Sequence, residues 1–251
     1  MFTTTPAASE LQAPTPSSSL LVILPAYNEE AHVGGVVRSV LAALPGADVL
    51  VVDDGSSDRT SEEARAAGAR VASLPVNLGY GGALQTGYKY AVRHGYEVVA
   101  QIDADGQHSA ADLPRLLSRL EDSENDVVIG SRFLDRDGHY TPSKARKLGM
   151  SLFARLVTVT TRSHVTDSTS GLQVIRGSVA RFFCSNVYPQ DYPDADILIL
   201  LHRSGFRVTE VPVRMELPPD RGTLHRGHRS LYYSYKMFLS IFVTLLRRGR
   251  K

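Results

Sequence analysis

The chain has 251 residues, a formal net charge of +2, and 43% hydrophobic against 22% charged residues. That length can bury the core of one large α/β domain or two small ones, and the near-neutral balance argues against a nucleic-acid partner. A single cysteine, Cys184, excludes an internal disulfide and suits a reducing cytoplasm; beside Phe182 and Phe183 it reads as a small buried hydrophobe.

Residues 1–19 are rich in Thr, Pro, Ala and Ser, lack a hydrophobic period, and predict a disordered tail with none of the order of a secretory signal. Leu20-Leu-Val-Ile-Leu24 is a continuous apolar run closed by Pro25, as in a buried parallel strand. A helix is predicted from Glu29 to Leu44, stopped by Pro45-Gly46. Val49–Val52 is the second strand, and Asp58 is placed to cap a helix running to Ala67. Arg70–Ser73 gives a third strand, and Gly81–His94 a helix. The apolar run Glu97–Ile102 then leads into Asp103-Ala-Asp-Gly-Gln-His108. If that strand continues, Asp103 and Asp105 share a face. Two adjacent carboxylates favour a cation between them, and hard oxygen ligands suit Mg²⁺ or Mn²⁺. Taken alone, the stretch is equally compatible with an acidic turn. A helix over Ala111–Glu121 and a strand over Asp126–Gly130 follow. The alternation predicts a doubly wound α/β unit with a single, mostly parallel sheet and helices on both faces.

In such sheets ligands bind beyond the carboxyl ends of the strands. Three polar clusters fall at such ends: Pro25-Ala-Tyr-Asn-Glu-Glu30, Asp53-Asp-Gly-Ser56 and Asp103-Ala-Asp105. Helix capping is a strained account of three on one rim, whereas carboxylates there can accept from a nucleobase N–H or ribose hydroxyls. No G-x-G-x-x-G follows the first strand and no P-loop is present, so the dinucleotide reading fails and a nucleotide site of another kind is expected.

The ordered motifs PAYNEE (25–30), DDGSSD (53–58), NLGYGGALQTG (77–87), DADGQH (103–108) and GSRF (130–133) resemble glycosyltransferase family 2, from about Leu20 to Val213. The resemblance implies the GT-A fold over residues 20–230, an inverting mechanism and a nucleotide-sugar donor such as a UDP-, GDP- or TDP-hexose. Within the family, the DADGQH motif is similar to that of polyprenyl-phosphate hexose synthases of the dolichyl-phosphate mannose or glucose type. It implies that Asp103, Asp105 and Gln107 hold Mg²⁺ or Mn²⁺, with Ala104 beside them. Pro25, Tyr27, Glu29, Asp53, Asp54 and Gly79 would then line the donor pocket.

Past the fifth strand, the resemblance assigns phosphate binding and a catalytic part to Arg132, whose fork suits phosphate oxygens. Leu134–Pro142 is polar and reads as a lid. Lys144-Ala-Arg-Lys147 opens an amphipathic helix with cations at its start, against the dipole preference, and the resemblance gives Arg146 the acceptor phosphate. Asp167-Ser-Thr-Ser-Gly171, before a strand at Leu172–Ile175, is a turn or an acceptor-side element. A helix from Tyr192 to Gly205 opens on Asp194-Ala-Asp196, where the family commonly has Asp-x-Glu. A phosphate acceptor needs no strong base, whereas a hydroxyl acceptor makes Asp196 the candidate. Phe206–Val213 resembles the family's closing strand. Arg221, His225, Arg226, His228 and Arg229 follow in a loop that is either a phosphate contact or solvated charge. Residues 231–251 form a basic amphipathic helix that either packs on the core or lies on an anionic membrane. The expected partners are a nucleotide sugar and a polyprenyl phosphate at the cytoplasmic face, with peripheral membrane contact or a membrane-protein partner and no nucleic acid. A hydroxyl acceptor on a polysaccharide, lipid-linked sugar or small metabolite is the alternative.

Overall fold

The structure is a computed structural model that describes residues 18–122, 124–134, 155, 158, 165–167, 169–186, 188–189 and 195–215. Seven strands form one sheet: β1 (Leu20–Ala26), β2 (Asp48–Asp53), β3 (Arg70–Ser73), β4 (Val98–Gln101), β5 (Val127–Ser131), β6 (Gln173–Arg176) and β7 (Val208–Pro212). Their order across the sheet is β3-β2-β1-β4-β6-β5-β7. The pairs β1–β2, β1–β4, β2–β3 and β5–β7 are parallel, whereas β6 runs antiparallel to both β4 and β5. The expected mostly parallel sheet is therefore interrupted by one reversed strand at its centre.

Helices α1 (Val33–Ala43), α2 (Thr60–Ala66), α3 (Tyr80–Arg93), α4 (Leu113–Glu121), α5 (Gly177–Phe183) and α6 (Ala195–Arg203) cover the sheet, with a 3₁₀ turn at Ala110–Asp112. The period of two in the central strands sorts their side chains into two cores. Leu21, Ile23, Leu50 and Val52 face Leu84 and Tyr88 of α3, Val179 and Phe183 of α5, and Ile197 of α6. Val22, Leu24, Val49 and Val51 face Val36, Val37 and Val40 of α1, Ala64 of α2 and Leu116 and Leu120 of α4. Gly87 lets α3 lie directly on the sheet, because a Cβ there would stand 2.6 Å from Ile23 Cγ2. That close approach sets how far the N-terminus of α3 reaches over the strand ends.

Several boundaries differ from the sequence expectation. Ser18 and Ser19, assigned to the tail by composition, are tied to the fold: Ser18 Oγ accepts from Leu20 N, and the Ser19 carbonyl accepts from Glu97 N and Val98 N. Helix α1 begins at Val33 because Glu29–His32 form a turn, the Glu29 carbonyl accepting from His32 N and Val33 N. Helix α5 was not foreseen, and Cys184 at its end is half-buried rather than enclosed. The remainder of the tail, the lid beyond Leu134, Arg146, Asp194, the basic loop at 221–229 and the helix at 231–251 lie outside the described residues.

Candidate active site

The first strand ends put their backbone in each other's hands. Asn28, with a left-handed φ of 56°, donates its N–H to Ser56 Oγ at 2.9 Å, while Ser57 N donates to Asn28 Oδ1 at 2.9 Å. Glu29 N reaches Thr60 Oγ1 at 2.8 Å and Glu30 N reaches Asp58 Oδ2 at 3.1 Å. The PAYNEE and DDGSSD loops are thus laced together over the ends of β1 and β2. Within the lacing, Asp53 accepts from Ser56 N at 3.0 Å and Ser61 Oγ at 2.5 Å. Asp54 accepts from Leu78 N at 2.7 Å and Gly79 N at 2.9 Å. Both carboxylates are buried; burial raises the Asp54 pKa, against the two amide bonds, and Asp53 pushes it further up. In the structure these two residues build the rim and seat the start of α3. Gly79, at φ 84°, sits immediately before that helix. Pro25 is buried within β1, and Tyr27 stands half exposed above it.

The acidic stretch is arranged differently from the expectation. Strand β4 stops at Gln101 and the chain turns at Ala104–Gly106, with Gly106 at φ 75°, so alternation along a strand does not place the two aspartates. Ala104 is buried beneath the turn. Asp105 Oδ1 accepts from Gln107 N at 3.0 Å and Oδ2 from Gln107 Nε2 at 2.6 Å, so Gln107 braces Asp105. Asp103 is the point where separate elements meet. Tyr80 Oη donates to its Oδ1 at 2.8 Å. A Cβ on Gly171 would stand 1.9 Å from its Oδ2, so only glycine fits against this carboxylate. Burial raises the Asp103 pKa; the Tyr80 bond and the positive charge of Arg132 oppose the rise, and the negative charge of Glu29 adds to it. The start of α3 and the approach to β6 therefore meet at one side chain, which also feels the charges of Arg132 and Glu29.

Arg132 is held by a carboxylate. It is 6% exposed, and its Nε and Nη2 form a fork on Asp167 at 2.6 and 2.7 Å, with Thr169 Oγ1 2.7 Å from Nη2. Asp167, read from sequence as a turn or acceptor element, is the buried counter-ion. Glu210 of β7 secures the same loop by accepting from Thr166 N, Thr166 Oγ1 at 2.7 Å and Asp167 N at 2.8 Å. This Arg132–Asp167–Glu210 arrangement was missed; the signal that could have found it is a buried-type strand end carrying an arginine, which demands an acid elsewhere. Asp196 is 1% exposed and accepts from Ile197 N at 2.9 Å in the first turn of α6. His108 is buried with its Nδ1 unpartnered, and burial and Arg132 pull its pKa down to about 4.

The donor set can be tested against a divalent cation. Among the described residues no group of three His, Cys, Asp or Glu side chains converges on a metal position. Two carboxylates alone suit Mg²⁺ or a similar ion, which is commonly held by one or two carboxylates and completed by substrate phosphates and water. A carboxylate whose pKa is raised by burial, and further by the negative charge of Glu29, gains from such an ion. The residues fit.

Residues 21–182 match the family model of glycosyl transferase family 2. The chain belongs to this family. It is a glycosyltransferase with the GT-A fold. Among its relatives, an undecaprenyl-phosphate mannosyltransferase of Micrococcus luteus is 32% identical over 204 residues, covering 77% of this chain and 82% of that one. A polyprenol monophosphomannose synthase of Mycolicibacterium smegmatis is 33% identical over 207 residues, covering 79% and 77%. In fold, the chain is similar to the glucosyl-3-phosphoglycerate synthase of Mycobacterium tuberculosis solved with Mn²⁺, UDP and glucosyl-3-phosphoglycerate. That likeness has a TM-score of 0.63 at 22% identity, covering 92% of this chain and 79% of that one. The glycosyltransferase motifs identified in the sequence thus lie at one rim of the sheet. Among the described residues no helix is long and apolar enough to cross a membrane.

Proposed function

We propose that this glycosyltransferase moves a hexose from a nucleotide sugar to a polyprenyl phosphate, with inversion, at the cytoplasmic face of a membrane. The observation that carries the reading is the meeting of Tyr80 and Gly171 at the Asp103 carboxylate, at the strand ends where nucleotides bind in such sheets. The acceptor class follows from the two relatives named for polyprenyl-phosphate sugars. The donor is a UDP-, GDP- or TDP-hexose; Tyr27 offers its exposed ring to the base, and Pro25, Glu29, Asp53, Asp54 and Gly79 form the pocket wall.

Asp103 and Asp105, with Gln107 beside them, would hold Mg²⁺ or Mn²⁺, which supplies positive charge to the departing nucleoside diphosphate. Arg132 works from behind, its charge offsetting that of Asp103. An oxygen of the acceptor phosphate attacks C1 of the hexose from the face opposite the diphosphate. The new C1–O bond forms as the bond from C1 to the donor phosphate oxygen breaks. That acceptor is already an anion near pH 7, so no side chain has to remove a proton. Asp196, buried and bonded to its own helix, is then not needed as a base. Arg146 is assigned the acceptor phosphate on its motif position, and the basic C-terminal stretch is assigned peripheral membrane contact.

The test is a thermal-shift panel of UDP-, GDP-, TDP- and CDP-hexoses with Mn²⁺, then product analysis with a short-chain polyprenyl phosphate against saccharide acceptors. A Mn²⁺-dependent shift with one donor and a sugar–phosphate product that survives Asp196→Asn are expected. A product formed only on a saccharide hydroxyl, and lost with Asp196→Asn, would replace this reading with the hydroxyl-acceptor one. No shift with any donor would sink both.

A further inference from the structure

Beneath Asp103 lies a buried polar chain that the reaction as described does not use. Gln101, the last residue of β4, is 2% exposed among apolar neighbours, a position where an unpaired amide is costly. Its Oε1 accepts from Tyr88 Oη at 2.7 Å and from Gln173 Nε2 at 2.7 Å. Its Nε2 therefore faces the other way and donates to Tyr80 Oη at 2.9 Å. An amide nitrogen carries only donor hydrogens, so the Tyr80 oxygen is the acceptor in that contact. The single phenolic hydrogen is left for Asp103 Oδ1, 2.8 Å away. The chain has a fixed direction: Gln173 and Tyr88 orient Gln101, Gln101 orients Tyr80, and Tyr80 donates to the carboxylate. On the other oxygen, the backbone of Gly171 closes the space a side chain would take.

We propose that Tyr80 is a positioning residue for the donor's divalent cation: directed by Gln101, its hydroxyl fixes the rotation of the Asp103 carboxylate and keeps it an acceptor. The inference rests on the metal reading given above. Between an amide N–H that can only donate and a carboxylate that can only accept, the one phenolic hydrogen is committed to Asp103. Groups that hydrogen-bond to a metal-binding side chain commonly set its affinity by about 10–100-fold.

The experiment compares full-length wild type, Tyr80→Phe and Gln101→Glu, with free Mn²⁺ followed by EPR in the presence of UDP and UDP affinity measured separately without metal. Tyr80→Phe is expected to weaken Mn²⁺ binding about ten-fold or more, with metal-free UDP affinity and the unfolding midpoint near wild type. Gln101→Glu replaces the directing donor with a second acceptor, competes with Asp103 for the phenolic hydrogen, and is expected to weaken Mn²⁺ in the same sense. Mn²⁺ binding by Tyr80→Phe equal to wild type overturns the inference and leaves the metal reading standing. A parallel loss of metal-free UDP affinity, or a Tyr80→Phe chain that does not fold, assigns the hydroxyl to structure and overturns it too. Wild type that takes up no Mn²⁺ with UDP, GDP or TDP removes the metal reading and this inference with it.

Discussion

At Asp103 a carboxylate is held on one oxygen by a tyrosine and walled on the other by a glycine. Gly171→Ala would place a methyl 1.9 Å from Oδ2, so the carboxylate has to turn away. Turnover is expected to fall on the order of 10²-fold, the range seen when one electrostatic contact at a reacting centre is lost, while the urea midpoint changes little; steady-state kinetics and denaturation on the same sample check this. Asp103→Asn and Asp105→Asn are expected to lose at least as much. His108 supplies a pH test. Its pKa is about 4 in the fold against 6.5 as the unperturbed value, so between these values the unfolded chain takes up a proton that the folded chain refuses. Stability should therefore fall as pH drops from 6.5 towards 4, by roughly 3 kcal/mol at the lower end, and be indifferent to this group above 6.5. The raised carboxyls of Asp54, Asp103 and Asp112 act in the opposite sense at low pH. Urea midpoints of wild type and His108→Gln across that range isolate the histidine, and the variant should lose the less stability of the two. The aspartates were visible in the sequence as residues; their surroundings were not, since Tyr80, Gly171 and Arg132 are 23 or more positions away from Asp103 and only folding brings them near.

At the scale of elements, the end of β5 and the loop before β6 are joined by the Arg132–Asp167 pair, both members nearly inaccessible, and Glu210 ties β7 to the same loop. Removing one partner strands a buried charge, so Arg132→Met or Asp167→Asn is expected to lose about 3–5 kcal/mol in urea unfolding. Replacing both with apolar residues should recover part of that loss, because the desolvation of two charges is avoided. The long apolar strands β1 and β2 were legible because a buried strand leaves a continuous run of large aliphatic residues. The direction of β6 was not: four residues, Gln173–Arg176, carry no signal that separates parallel from antiparallel pairing. Helix α5 escaped because seven residues complete barely two turns, too few for a hydrophobic period. The strand read over Glu97–Ile102 ends at Gln101, before either aspartate, so the condition for their sharing a strand face is not met.

Among the described residues, one sheet separates two cores. A ligand that binds only the folded state at 100 times its Kd stabilises by about 2.7 kcal/mol. With Mn²⁺ and the correct nucleotide sugar, a rise of several degrees in Tm is therefore expected, lost when EDTA removes the metal; differential scanning fluorimetry reads both. The fold class was legible at this scale because strand–helix alternation is a global pattern that survives errors of a few residues at each boundary.

The join between β5 and the loop before β6 has one more meaning. Ser131 Oγ lies 2.6 Å from Thr166 Oγ1, and Arg132 holds Asp167, so the chain departs and returns through the same knot. Residues 35 positions apart in the sequence are thereby tied into one buried unit, so a change at either end of the knot is felt at the other.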